Sequence, residues 1–426
     1  MISIGSQEER LSSEAVRYWS KNILANLKIG VEIEFDVEHG HREELMRTLR
    51  SKLNPSGSLT FSRNGVYEIV TDGSIPNGIE LKTSGRRLDF LNLYVQYKTY
   101  TDIITHGFIS ELCGLHQHML MDYIPGDYTS LETPMPGIIF KNFMQIIRKH
   151  SPELVWITST IKDNRCITRY EGFCKADTLF NYTPINKTAQ SYCRLVSSEH
   201  RYKFVNCRPM QVDGDKINRF HVELRFPDGS LYPAQIAAQN ILFGAFLLKA
   251  VRLSELGIVE TGTIDEWTRT KELYRAIRQG SGFISNRLSS PPTEEETEEI
   301  KLRAIEMLKF LKPEISMYDE KVYRVLMFLA HEPISIMRRT KTDQEINSGF
   351  HDLIRSMYPL DTSPYDYLIQ TITTMQLTGS FSEKQWVYQL ASKHSKQFNQ
   401  IEKDLFELKK HKNLHFDMEL GCYVFK

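Results

Sequence analysis

The sequence predicts an α+β protein: a curved, mainly antiparallel sheet backed by helices, followed by a mostly helical carboxy-terminal domain. Three observations carry this. A two-residue alternation of apolar and polar side chains recurs in IGVEIEFD (29–36), GIELKT, CGLHQHM and FHVELRF, which is the period of a strand with one buried face. The stretch Ala234–Leu256 is apolar almost throughout and opens after Pro233, a favoured first-turn residue, as a long buried helix does. Beyond residue 293 the pattern is mostly helical to about residue 410.

Taken in order, residues 7–26 form a helix with Val16, Trp19, Ile23 and Leu27 at helical spacing. In IGVEIEFD, Val31, Ile33 and Phe35 take one side of a strand while Glu32 and Glu34 stand together on the other. The segment LTFSRNGVYEIVTDGSIPNGIELKTS holds two β-forming runs around Asn64-Gly65, a strong hairpin signal, then turns at Asp72-Gly73 and Asn77-Gly78 before another strand. Residues 87–107 and 137–149 are expected as helices, and Cys113–Met121, Lys203–Cys207 and Phe220–Phe226 as strands. Gly, Ser and a Pro pair in RQGSGFISNRLSSPPTEEETEEI mark a linker and a boundary near residue 290. Residues 1–289, with a core over about 27–256, then form one domain and 290–426 a second. Thr293 with Glu296 fits a capping box, opening a helix expected to bury Leu302, Ile305, Leu308 and Leu311.

The end of the chain, from SEKQWVYQL onward, reads as helix, turn, helix and two-stranded ribbon, with Phe398, Ile401, Leu405 and Leu408 on one helix face. That order is similar to a winged helix, a module that reads DNA with its second helix or binds other proteins. Lys403, Lys409, Lys410 and Lys412 could meet phosphates, but Glu402, Asp404 and Glu407 interrupt them, which favours a protein or peptide partner over nucleic acid.

Composition excludes several classes. The 426 residues carry 53 basic and 53 acidic side chains, so no bulk charge points to nucleic acid or an anionic membrane. The amino terminus, MISIGSQEERLSSEAVRYW, lacks the apolar stretch of a signal peptide, and no apolar run is expected to cross a bilayer; the expected location is cytoplasmic. Six cysteines (113, 166, 174, 193, 207 and 422) lie at scattered spacings without a C-x-x-C pair, which reads as reduced thiols and leaves the sequons at Asn181 and Asn186 without meaning.

The strands bring chemistry-bearing groups to one face. His116 and His118 share a side of their strand, as do His221, Glu223 and Arg225 of theirs, and Glu80 sits between Ile79 and Leu81. A concave face collecting Glu32, Glu34, Glu80, His116, His118, Glu223 and Arg225 would repel itself unless cations neutralise it. Several carboxylates with one or two imidazoles and no thiolate suit magnesium or manganese, and magnesium keeps substrate phosphate in its shell. A nucleotide is therefore the expected co-substrate. No Gly-Lys dipeptide completes a Walker A loop and no G-x-G-x-x-G joins a strand to a helix, so metals and arginines must hold the phosphates.

The order G-V-E-I-E-F, D-G-S with GIELKT, C-G-L-H-Q-H-M, then HVELRFPDGSL before a long helix resembles the amidoligase family of carboxylate–amine ligases, relatives of glutamine synthetase and glutamate–cysteine ligase. The resemblance covers residues 29 to about 250. It implies a sheet of glutamine-synthetase type and ATP-dependent amide formation through an acyl phosphate. It further implies that Glu32, Glu34, Glu80, His116 and Glu223 ligate metal, that His118 lies near the nucleotide, and that Arg225 and Arg208 contact phosphate. Glu34, Arg225 and Asp72 then form the catalytic set, Asp72 near the incoming amine. Two of these residues keep a second reading: Arg208 as a surface ion-pair partner, and Asp72 as a turn residue capping its own backbone in TDGS. The family's usual acid-V-S-P is replaced here by Glu80-Leu81-Lys82-Thr83-Ser84, a departure at Lys82 that bears on the substrate pocket the family would imply and leaves the metal role of Glu80 in place. The substrates implied are a small-molecule, amino-acid or peptide carboxylate and an amine. A rival reading is a DNA-binding regulator whose ligase-like domain senses a nucleotide or amino acid.

Overall fold

The computed structural model of the chain describes residues 3–4, 10–55, 65–110, 112–121, 131, 133–160, 187–197, 204–260, 264–279, 293–358, 372, 382–394, 398–412, 414–417 and 422–425. The arm of the expected hairpin before Gly65, the linker at 280–292, both sequons, Cys166 and Cys174 lie outside them. Cys113, Cys193 and Cys207 are buried.

A mainly antiparallel sheet carries the alternating strands. Its central path runs Gln211–Asp213, Lys216–Leu224, Leu115–Met121, Lys28–Val37, Gly78–Thr83 and Val66–Asp72, with four two-residue strands attached off this path. On one face Ile29, Val31, Ile33, Phe35, Leu81, Met119 and Val222 are all at most 1% exposed. Helices Phe90–Ile103 and Pro233–Leu253 pack together over that face: Gln117 Nε2 donates to Asn240 Oδ1 at 2.6 Å, and Asn240 Nδ2 donates to the Tyr97 hydroxyl at 2.6 Å.

Helix Pro233–Leu253 buries every residue but Lys249 and Arg252. At 21 residues it is long and apolar enough to cross a bilayer, which corrects the expectation that no apolar run reaches that length; 89% of its most apolar window is buried inside the protein. Lys249 and Arg252 both meet Glu314 of helix Glu294–Asp319, at 3.0 and 2.7 Å.

The helix after the 290 segment starts with the expected capping box, Thr293 N–H donating to Glu296 and Glu296 N–H to Thr293 Oγ1. Its buried residues are Ile300, Ala304, Ile305, Met307, Leu308, Leu311, Glu314 and Ile315, which include the expected Ile305, Leu308 and Leu311. Leu302, expected inside, is 54% exposed, because two residues past Ile300 the helix has turned through roughly 200°. These side chains and those of 322–358 belong to the same hydrophobic core as the sheet. Across the described residues the apolar packing therefore divides after Tyr358, not near residue 290. A second, small core joins Ile372, Trp386, Leu390, Ile401, Leu405, Leu408, Leu414 and Tyr423. It lies among helices Glu383–His394 and Phe398–Lys412 and the antiparallel strands Leu414–Asp417 and Cys422–Phe425.

Several bounds differ from expectation for local reasons. The first helix spans Ser13–Asn26, because Ser12 caps it by accepting from Ala15 N–H. The helix expected over 87–107 spans Phe90–Ile103: Asp89 caps its start, and its end gives way to a strand, Gly107–Phe108, that pairs with Asp36 and Val37. Helices Arg42–Leu53 and Ile264–Gln279 were not expected; the first buries Leu45, Met46, Leu49 and Leu53 on one side.

Candidate active site

Strand register assembles the polar face. Strand Lys28–Val37 sets Glu32 opposite His116 and Gly30 opposite His118 on one side. On the other it sets Glu32 opposite Lys82 and Glu34 opposite Glu80. His118 in turn stands opposite Glu223, and Glu223 opposite Asn206. Directly opposed residues point to the same face, so groups scattered over 190 residues of chain converge on the side of the sheet away from the helices.

Glu32 is the centre. Its carboxylate lies 2.9 Å from His116 Nδ1 and 3.2 Å from His118 Nε2. His116 also approaches Glu34 and Glu223, each at 3.7 Å. Glu34 Oε2 accepts the Gly114 N–H at 2.7 Å. Glu223 accepts from Asn206 Nδ2 at 2.6 Å and pairs with Arg225. Lys82 Nζ lies 3.2 Å from Glu80 and 3.4 Å from Glu68. His118 Nδ1 is 3.0 Å from His221 Nε2.

The electrostatics follow from crowding acids into a half-dry cleft. Burial alone would raise Glu32, but the hydrogen bond with His116 and the close approach of His118 at 3.2 Å outweigh it and hold the carboxyl far below its ordinary range. Glu223, also buried, is held low by His116, His118 and Arg225. Glu80 goes the other way, pushed up to about 7 by burial and by the charge of Glu32, with Lys82 only partly offsetting them. Tyr67 is pushed up to about 12 by burial and by Glu32, Glu68 and Glu80, as a phenol in a negative field must be. His221 is driven down to about 3 by burial and by His118 and Arg219, which leaves it neutral and able to accept a hydrogen bond from His118.

Among the described residues three triads bring ligand-capable atoms within 4.8 Å of one another: Glu38–His41–His106 elsewhere, and on this face Glu32–Glu80–His116 and Glu32–His118–Glu223. The latter two share Glu32, whose two oxygens can serve both. Despite its proximity to Glu32, His118 Nε2 is buried without a hydrogen-bond partner among the described residues. An imidazole nitrogen left so beside carboxylates, with its other nitrogen bonded to a neutral histidine, has the surroundings of a metal-ligating histidine. The residues present therefore fit a hard divalent cation held by oxygen and nitrogen.

The predicted residues are not all brought together. Glu32, Glu34, Glu80, His116, His118, Glu223 and Arg225 are. Asp72 ends strand Val66–Asp72 and spends its Oδ1 on Ser74, accepting from the backbone N–H at 2.7 Å and the hydroxyl at 2.6 Å, which is the turn-capping geometry. Arg208 is exposed in the turn after Asn206, its backbone N–H donating to Asn206 Oδ1 at 3.0 Å. Asn206 and Glu68 were not singled out from the sequence. Glu68 joins the site by pairing opposite Lys82 and Asn206 by pairing opposite Glu223, registers that no local pattern signals.

No protein-family model matches the sequence, and neither does any curated protein. Among solved structures, the chain is similar to a bifunctional glutathione synthetase from Pasteurella multocida (TM-score 0.40, 11% identity, 86% of this chain and 57% of that one). It is also similar to structures described as the complex of the prokaryotic ubiquitin-like protein Pup with its ligase PafA (TM-score 0.36, 12% identity, 84% and 74%) and as GmaS with ADP (TM-score 0.40, 14% identity, 79% and 77%). This chain thus spans little more than half the length of the glutathione synthetase. Likenesses this distant leave the function to be argued from the carboxylates and histidines themselves.

Proposed function

We propose that the chain is an ATP- and magnesium-dependent ligase that joins a carboxylate to an amine through an acyl phosphate, with manganese able to replace magnesium. The observation that carries this is the pair of triads sharing Glu32 on one sheet face. Glu32, Glu80, His116 and Glu223 are the metal ligands in this reading, and Glu34 completes their negative field from 3.7 Å behind His116. His118, expected near the nucleotide, takes a ligand position as well, oriented by His221. A divalent cation bound there supplies charge neutralisation and in-line orientation for a phosphoryl group in transfer.

The chain's own residues do the rest. Arg225, held beside Glu223, offers an always-charged fork to phosphate oxygens at the edge of the cluster. Arg208 stands exposed one turn beyond Asn206, where it can add a second such contact. Asp72 sits on the same sheet face and keeps its proposed role near the amine only if its turn opens. Rigid strands rather than loops carry the ligands, which fixes their mutual distances before substrate arrives. The helix, helix, hairpin module at the carboxy terminus is assigned to a protein or peptide partner, as a winged-helix-like unit.

Hydroxylamine trapping tests the proposal. With ATP, magnesium and the correct carboxylate, drawn from amino acids and short peptides, the activated acid is captured as a hydroxamate while ADP and phosphate appear. Release of AMP and pyrophosphate instead would exclude the acyl phosphate. Salt-sensitive DNA affinity with no turnover across the substrate panel would favour the regulator.

A further inference from the structure

Lys82 is a permanent cation placed between the proposed metal ligands and a carboxylate outside them. Its strand pairs on both sides, putting Lys82 opposite Glu32 on one neighbour and opposite Glu68 on the other. The ammonium lies 3.2 Å from Glu80 and 3.4 Å from Glu68. Glu80 belongs to a triad and its side chain is 14% exposed, whereas Glu68 belongs to neither and is 45% exposed. A lysine stem carries four rotatable carbons and a compact charge, so its head can move between two acids without any shift of backbone.

We propose that Lys82 competes with the divalent cation for Glu80, and that Glu68 is the carboxylate that receives Lys82 when the cation wins. This rests on the metal-ligand reading above. An ammonium and a doubly charged ion beside the same carboxylate repel each other across a few ångströms in a partly desolvated cleft. Lys82 thus sets metal affinity at the Glu32–Glu80–His116 corner below what the three ligands alone would give. Glu68 raises it again without being a metal ligand, because it offers the displaced ammonium a partner. The device lets acids crowd together on the sheet with a counter-charge of their own while keeping the corner exchangeable.

The sign of two substitutions tests this. Manganese binding to the full chain, without nucleotide, is followed by the electron paramagnetic resonance of the free ion. Lys82→Met and the milder Lys82→Gln should each tighten binding about tenfold, since one unit of opposing charge is removed. Glu68→Gln, at a half-exposed site that tolerates the change, should weaken it several-fold. In Lys82→Gln combined with Glu68→Gln the Glu68 effect should vanish, because Glu68 acts only through Lys82. If the parent binds manganese and the Lys82 variants bind it equally or more weakly, the competition is wrong and Lys82 supports the site in another way. If Glu68→Gln weakens binding equally with and without Lys82, Glu68 is acting directly and the relay is wrong. If neither the parent nor any Lys82 variant binds manganese, the metal reading itself falls, and this inference with it.

Discussion

Replacing Glu34 with glutamine and with alanine separates two roles of one carboxylate. Oε2 accepts the Gly114 N–H at 2.7 Å, while Oε1 lies 3.7 Å from His116, and the side chain is 2% exposed. A glutamine oxygen can go on accepting from Gly114. Alanine leaves that buried N–H without its partner, at a cost of about 1–3 kcal/mol. The metal-free glutamine variant should therefore unfold within about 1 kcal/mol of the parent and the alanine variant 1–3 kcal/mol earlier. Both lose the charge. Unit charges 4 Å apart at an effective dielectric of 20 interact by about 4 kcal/mol. Discounted to about 1 kcal/mol per unit charge for the cleft's contact with water, a divalent ion loses about 2 kcal/mol, or roughly thirtyfold in affinity. Urea unfolding of the metal-free protein and manganese titration of both variants check the two halves. Glutamine variants that bind manganese as tightly as the parent, or that unfold as early as alanine, would refute the division and return Glu34 to a purely structural role.

Two further outcomes follow from packing and burial. His150 is enclosed by Phe246 and Phe310, its Nδ1 has no hydrogen-bond partner among the described residues, and burial with Lys149 and Arg303 nearby pushes it down to about 3. The unfolded chain takes up this proton near the ordinary value of 6.5, so the contribution is intact above that pH. It is lost progressively as pH falls from 6.5 towards 3, at up to about 1.4 kcal/mol per pH unit, and His150→Gln should flatten that part of a urea stability profile. A chain ending at residue 290 should aggregate, because it strips Ile300, Met307, Leu308 and Leu311 from the main core and Glu314 from Lys249 and Arg252, whereas one ending at residue 358 should melt cooperatively; a cooperative melt from 1–290 alone would restore the earlier domain boundary.

Much of the fold was legible because two-residue alternation and capping chemistry are local. Glu32 and Glu34 had to share a face once Val31, Ile33 and Phe35 were buried, and Thr293 with Glu296 announced a helix start that the structure places at Glu294. What escaped depends on neighbours far away in the chain. Leu302 carries the same apolar signal as Leu308, yet only the helices packed on Leu308 decide which is inside. The continuity of the core across residue 290 is of that kind too, since a Gly- and Pro-rich stretch marks a break in secondary structure and says nothing about whether the flanking helices pack together. Asp72 shows the limit for sites: its turn and its suggested role near an amine compete for the same carboxylate, and Ser74 holds it in the first.

The charge count of the sheet face explains why its pattern is informative. In the cluster around Glu32, among the described residues, Glu32, Glu34, Glu68, Glu80 and Glu223 are five carboxylates and Lys82 and Arg225 two permanent cations paired with them, so five against two leaves three negative charges within that set. His118, raised by Glu32 against the effect of burial, can answer one of these, and a proton on Glu80 near neutral pH another. Each answer binds a proton where a cation could bind instead. A structural face of this burial would be more stable with some of these acids replaced by uncharged residues. The sheet instead keeps them on one face, and beside the fixed partners of Glu34 and Glu223 several of their partners are displaceable: a histidine proton, a lysine head, a carboxyl proton. A surface of this kind can exchange small cations for larger charge, and that is the property the proposed phosphoryl-transfer site requires.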